Sequence, residues 1–254
     1  MKKWALDISY NGAKYAGWQI QAHANTVQAE LTHALRLLLG ETVETRGAGR
    51  TDAGVHAKQM IVDLECETEL TSKLVYRLNS MLPVDICINR LLRPLNPEFN
   101  ARFDATSRTY QYFIALKKDP FLVNNAWYYW GTLDLEKMNE ACAVLFKYEE
   151  FGAFAKAHGQ QKTNVCEIIK AEWVKEGDML VFTIEANRFL RGMVRAIVGT
   201  MTDIGRRKIS VADFEAIIES QDRKLAGVSA PAHALFLTEV NYPEGTFEQK
   251  SSLI

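Results

Sequence analysis

The stretch NTVQAELTHALRLLLG, residues 25–40, is the segment on which the fold turns. Its apolar residues Val27, Leu31, Leu35 and Leu38 recur at helical spacing, so they form one stripe of a helix rather than one face of a strand. Asn25 or Thr26 stands where an N-cap belongs, and Gly40 stands where a left-handed residue ends the last turn. Upstream, residues 3–10 alternate, with Trp4, Leu6, Ile8 and Tyr10 on one side, which predicts a strand. Downstream, a short strand near 43–47 enters a glycine-rich loop, GAGRTDAGVHAKQ at 47–59, and a second strand follows around 58–64. LTSKLVYRLNSMLP predicts another helix, with Thr71 as its cap and Pro83 as its end, and a strand over 84–92 closes the set. The order β-α-β-β-α-β is that of the ferredoxin-like split unit.

The remainder follows the same pattern without evident identity to the first part. SRTYQYFIAL predicts a strand, 134–147 a helix, and 165–175 with 179–186 a hairpin turned by EGD. Helices are expected over 188–204 and 210–220, then a strand in HALFLTEVNY. The expected architecture is α/β (α+β): two ferredoxin-like, RRM-like lobes with mainly antiparallel sheets and a catalytic cleft between them. Residues 1–105 form the first lobe, carrying the glycine-rich loop, and 106–254 the second, enlarged by insertions. The polar tail PEGTFEQKSSLI is expected to fray.

The chain has 254 residues, 48% hydrophobic and 24% charged, enough for a sizeable core. No run of about 18 apolar residues exists, so no membrane span is expected. The amino terminus lacks an apolar signal core, so no export is expected. Cys66, Cys87, Cys142 and Cys166 are widely spaced with no CxxC pair, which fits buried thiols of a reducing cytoplasm. The net charge is −1, yet basic residues are segregated. Arg188, Arg191, Arg195, Arg206, Arg207 and Lys208 face one acid, Asp203, and Arg90, Arg93, Arg102, Arg108, Lys117 and Lys118 face two, Glu98 and Asp104. Such runs point to nucleic acid only if they are not merely solvated faces.

An enlarged, charged loop between two strands is a candidate functional feature, although spacing alone leaves Asp52 equally open to an Asx-turn role. The loop lacks the GK[ST] of a phosphate loop and the spacing of a dinucleotide fingerprint. His56 has no ligand spacing with His23, His33, His158 or His233, so no metal is expected and His56 is taken as packed or solvent-facing. No second carboxylate stands out as a glycosidase partner. One carboxylate, Asp52, beside one guanidinium, Arg50, remains. Gly47, Gly49 and Gly54 are expected to let the backbone present both.

GAGRTDAGVHA does not stand alone. With TVQAELTHAL after YNGAKYAGWQ, then FNARFDATSRTYQYFI and NRFLRGMVRAIVGTM, the chain resembles the tRNA pseudouridine synthase A family in the same order from about residue 4 to 242. The resemblance implies that Asp52 is the catalytic carboxylate and Arg50 supports a base flipped out of the RNA. It implies that Arg195 holds Asp52 ionised from the second lobe and that Tyr110 stacks on the uracil; period-two alternation alone does not choose between Tyr110 and Tyr112. Arg188 and Arg191, at i and i+3 to Arg195's i+7 on one expected helix face, are assigned to phosphates. The implied substrate is tRNA, modified at positions 38 to 40 of the anticodon stem-loop by a cytoplasmic homodimer without cofactor. For the dimer contact, NNAWYYWG at 124–131 is the aromatic stretch singled out, with core packing as its alternative. The chain departs from the family pattern at Ala196 after Arg195 and at Ala234 before Leu235, both where the wall of the site is expected. Two other readings are an RRM-like binding module without chemistry and a carboxylate hydrolase of small substrates; the intact Asp52 loop counts against the first, the arginines and the missing second acid against the second.

Overall fold

The computed structural model describes residues 1–156 and 163–248. They fall into two compact units, Met1–Thr106 with Leu237–Ile254, and Ser107–Phe236. The elements are mixed α and β, and their pairing is mostly antiparallel.

The first unit runs β1 (Lys2–Tyr10), α1 (Val27–Leu39), β2 (Thr45–Gly47), β3 (His56–Cys66), α2 (Ser72–Met81) and β4 (Ile86–Leu92). Strand β1 lies between β4 and β3, and β2 pairs with β3, which is the ferredoxin-like arrangement. Thr26 caps α1 through its side chain, which accepts from the Ala29 N–H, and Gly40 ends the helix with a φ of 71°. Thr71 stands at the N-cap of α2, but its hydroxyl makes no capping bond. The helix stops at Met81 because Leu82, before Pro83, is driven into extended backbone.

Strand β1 is buried on both faces from Trp4 to Tyr10 except at Ser9, so its polar residues need internal partners. Asp63, fully buried on β3, receives Lys3 Nζ at 2.9 Å, Arg46 Nε at 3.1 Å and the Ala101 N–H at 2.9 Å. Asp7 on β1 accepts from Arg90 Nε at 3.0 Å, Asn89 Nδ2 at 3.2 Å and Gln59 Nε2 at 3.3 Å. Asp63 ties four chain segments together and Asp7 three, and a buried carboxylate is tolerable only with such partners. These acids carry no signal in the alternation pattern, which assigns Asp7 to an outward face.

The last strand also departs from expectation. Leu237–Asn241 belongs to the first unit and lies next to β3, with the Val240 N–H donating to Gln59 Oε1 at 2.8 Å. The described part of the tail is not frayed. Leu95 N–H donates to Thr246 O at 3.0 Å, Glu248 N–H to Arg93 O at 2.9 Å, and the Phe247 ring meets Phe99 and Tyr242 edge-on. Residues 249–254 lie outside the described residues.

The second unit holds β5 (Ser107–Ala115), β6 (Trp127–Tyr128), α3 (Leu135–Leu145), β7 (Ile168–Glu176), β8 (Met179–Ala186), α4 (Met193–Gly205), α5 (Val211–Ser220) and the start of β9 (Leu235–Asn241). Strand β8 pairs antiparallel with β5 and β7, β6 adds parallel to the end of β5, and Gly177, with φ 61°, turns the β7–β8 hairpin. Helix α4 begins at Met193, not near 188, because Gly192 takes a φ of 73° and interrupts the helical path. Almost every residue of α4 is buried, so it is an interior helix rather than an amphipathic surface one. Within 124–131, Ala126 is buried while Tyr128 and Trp130 are exposed, so core packing accounts for only part of that stretch.

All four cysteines are free, and three are buried; Cys87 is exposed, contrary to expectation. Burial pushes the Cys66 and Cys166 thiols up to about 11 and Cys142 up to about 12. These three stay protonated at pH 8, so iodoacetamide on the native protein should modify Cys87 alone, read by peptide mass mapping. Asp63→Ala leaves the buried Lys3 ammonium with Glu65 alone and the buried Ala101 N–H without its acceptor, and should lower the unfolding free energy by about 3 kcal/mol in urea titration.

Candidate active site

The loop between β2 and β3 is built against residues 10–18. Trp18 N–H donates to Thr51 O at 3.2 Å, Gly54 N–H to Tyr15 O at 3.2 Å, and Gly12 N–H to His56 Nδ1 at 3.0 Å. A Cβ on Gly12 would stand 1.9 Å from Val55 O, and one on Gly17 would stand 2.5 Å from Thr51 O. Gly17 also has a φ of 101°, so both the space and the backbone require glycine there. Thus the YNGAKYAGWQ segment is the bed on which the loop rests. The motif glycines divide differently from expectation: Gly54 takes a φ of 79° in the turn closed by Val55 N–H to Asp52 O, whereas Gly49 sits in open space without a left-handed φ.

Thr51 is turned inward, as are Ala48 and Val55. Its hydroxyl lies 2.8 Å from Tyr10 Oη, and the Tyr10 ring stacks on buried Trp18. On either side Arg50 is exposed and Asp52 half-buried. His56 is packed, 1% exposed, and its Nδ1 accepts a backbone proton, so the ring proton of its neutral form sits on Nε2.

In the second unit, Tyr112 is fully buried and donates its hydroxyl to Pro231 O at 3.0 Å. Burial pushes that phenol far up, with Arg195 opposing, so Tyr112 is a structural donor. Tyr110, two residues earlier on β5, meets Phe189 edge-on at 5.2 Å and retains 8% exposure. Arg195 lies in the first turn of α4. Its Nε donates to Ala230 O at 2.7 Å while its own carbonyl accepts the Ala230 N–H at 2.9 Å. That clamp works because Gly199 lets the Val228 carbonyl rest on the helix; a Cβ there would meet it at 1.8 Å. Arg188 and Arg191 are not on this helix. They sit in the segment before Gly192, so the i, i+3, i+7 face does not exist.

Known proteins match this chain along nearly its whole length. The family model described as tRNA pseudouridine synthase matches residues 148–243. A protein named tRNA pseudouridine synthase A from Parabacteroides distasonis is 49% identical over 250 residues, covering 97% of this chain and 98% of that one. The protein of that name from Bacteroides fragilis is 47% identical over 251 residues, covering 98% and 99%. One from Francisella tularensis subsp. novicida is 36% identical over 253 residues, covering 98% of each. The chain belongs to the tRNA pseudouridine synthase A family. It is an enzyme that isomerises uridine to pseudouridine in tRNA.

For a tRNA pseudouridine synthase, the disposition of positive charge matters, and much of the segregated charge is already committed. Arg90 pairs with Asp7, Arg93 with Glu69 and Glu248, Arg206 and Lys208 with Asp203, and Arg207 with Asp134. Those stretches are therefore in part solvated, self-paired faces worth little individually. The two departures from the family pattern, Ala196 and Ala234, are fully buried and pack the interior instead of lining an open wall. Among the described residues no group of three or more His, Cys, Asp or Glu is placed to hold a metal ion; His158 lies outside them. No helix among them is long and apolar enough to cross a membrane.

Gly12→Ala should cost about 1–3 kcal/mol or more, because carbonyl and Cβ cannot both keep their places. Gly49→Ala should change stability by under about 1 kcal/mol, having space and an ordinary φ. Paired urea titrations read both.

Proposed function

We propose that Asp52 performs the glycosidic chemistry on uridines at positions 38 to 40 of the tRNA anticodon stem-loop. The reaction breaks the C1′–N1 bond, turns the uracil and joins C5 to C1′; a proton leaves C5 and N1 gains one, so no redox agent or metal is needed. An ionised carboxylate serves at the electron-poor sugar carbon as nucleophile, as base or as electrostatic partner. Arg195 is the guanidinium that keeps Asp52 ionised when RNA displaces water. Arg50 stacks on or bonds to the RNA around the vacated position, a task for which a planar guanidinium suits better than an ammonium. Tyr110 stacks on the uracil, and Arg188 and Arg191 take phosphates. The enzyme acts in the cytoplasm as a homodimer.

The observation that carries this reading is the order of burial in the loop. With Thr51 turned in, Arg50 and Asp52 are offered together on its open side. Support for Tyr110 over Tyr112 comes from Tyr112's commitment to Pro231.

The test is tritium release from tRNA transcripts labelled at uracil C5, with sequencing of the modified positions. Asp52→Asn should lose at least about 10³-fold in rate while still binding tRNA. Release by Asp52→Asn near the wild-type rate would remove Asp52 from the chemistry. Modification away from positions 38 to 40 would overturn the substrate assignment.

A further inference from the structure

We infer that Tyr10 and Thr51 are a positioning pair for the reaction, and this rests on the assignment of Asp52 above. Thr51 is the one residue between the candidate catalytic carboxylate and Arg50. It is held twice by the 10–18 segment, at its carbonyl by the Trp18 N–H (3.2 Å) and at its hydroxyl by Tyr10 Oη (2.8 Å). Tyr10 is itself fixed. It ends β1, pairs in register with Ala57 on β3 and Ile86 on β4, and its ring is braced on Trp18 at 6.2 Å and 24°. Both side chains are buried, at 5% and 7% exposure, so water does not compete for their bond.

Ala48 and Val55 of the loop are also buried, but Thr51 adjoins both Arg50 and Asp52. Side chains alternate sides along extended chain, and burial follows that order here, with Thr51 buried between exposed Arg50 and half-buried Asp52, so fixing Thr51 limits which way its two neighbours face. The Tyr10–Thr51 bond therefore transmits the rigidity of the sheet to Asp52 without touching substrate. Sites that work are held to within about 0.5 Å by such supporting bonds. Removing this one leaves Asp52 present but loosely aimed, and a misplacement of about 1 Å is enough to cost about a hundredfold in rate.

The test uses the full chain and four variants: Tyr10→Phe, Thr51→Val, Thr51→Ser and the double Tyr10→Phe/Thr51→Val. Single-turnover pseudouridine formation, tRNA affinity and thermal midpoint are measured for each. Tyr10→Phe and Thr51→Val should each slow the single-turnover step about 10- to 100-fold, with the thermal midpoint still above assay temperature. Affinity for tRNA should stay within about twofold, because neither residue meets RNA. Thr51→Ser keeps the hydroxyl and should recover most of the rate lost in Thr51→Val. The double variant should be no slower than the slower single one, since one bond is lost only once. Wild-type rates in both folded single variants would overturn the pair. So would losses that multiply, losses confined to tRNA affinity, or Thr51→Ser as slow as Thr51→Val. Asp52→Asn run alongside separates the two ideas: full activity there removes the Asp52 assignment itself, whereas an inactive Asp52→Asn beside unimpaired Tyr10→Phe and Thr51→Val removes only the positioning role.

Discussion

Everything distinctive about the first unit depends on how closely residues 10–18 approach the loop at 48–56. Two glycines make that approach possible, Gly12 under the Val55 carbonyl and Gly17 against the Thr51 carbonyl. Once the two segments touch, their backbone groups satisfy one another, and a charged loop that would otherwise sample many shapes acquires one. The cost of ordering the loop is offset locally, by hydrogen bonds from Gly12, Trp18 and Gly54, instead of by a large apolar face. Arg50 can then stand exposed and Asp52 half-buried while the chain between them is fixed.

Arg195 is treated in a comparable way on the second unit. The loop around Ala230 grips both its side chain and its backbone, and again a glycine, Gly199, makes room for a carbonyl. A number of basic side chains outside these grips, Arg90 and Arg207 among them, meet acids on their own unit. The enzyme thus spends geometric precision on a few charged groups and leaves the rest to ordinary surface pairing.

Much of this was legible in the sequence, and the rest was not for identifiable reasons. Helix α1 announced itself through Val27, Leu31 and Leu35 with caps at both ends, and β1 through its alternation. The start of α4 was misjudged because Gly192 reads as a tolerable interruption in an apolar, helix-compatible run until its φ is known. Buried Asp7 and Asp63 were invisible because a carboxylate on a strand normally signals the wet face; only long-range partners such as Arg90 and Lys3 make burial tolerable. In the site, the family motif pointed to Asp52, Arg50 and Tyr110, while Thr51, the residue that orients two of them, looked like filler. The available signal was Tyr10 and Trp18, bulky aromatics flanking two glycines just before α1, but nothing local says that they face residue 51. Gly49 was overvalued for the opposite reason: it lies in the motif, and its surroundings are open.

The division of the chain has a consequence for how the molecule is made. Residues 107–236 are spliced into the first unit, whose sheet receives Leu237–Asn241 only after they have been synthesised. The join is tight: the Thr106 N–H donates to Asn241 O at 2.8 Å. On a ribosome the amino-terminal segment therefore waits on the order of ten seconds for its last strand, with that stretch of the β3 edge uncovered meanwhile. The inserted unit needs no such wait for its β5–β8–β7 sheet and its helices α3, α4 and α5, all of which lie within one continuous segment. Order of emergence and order of completion are thus reversed, and the part of the chain bearing Asp52 is the part finished last.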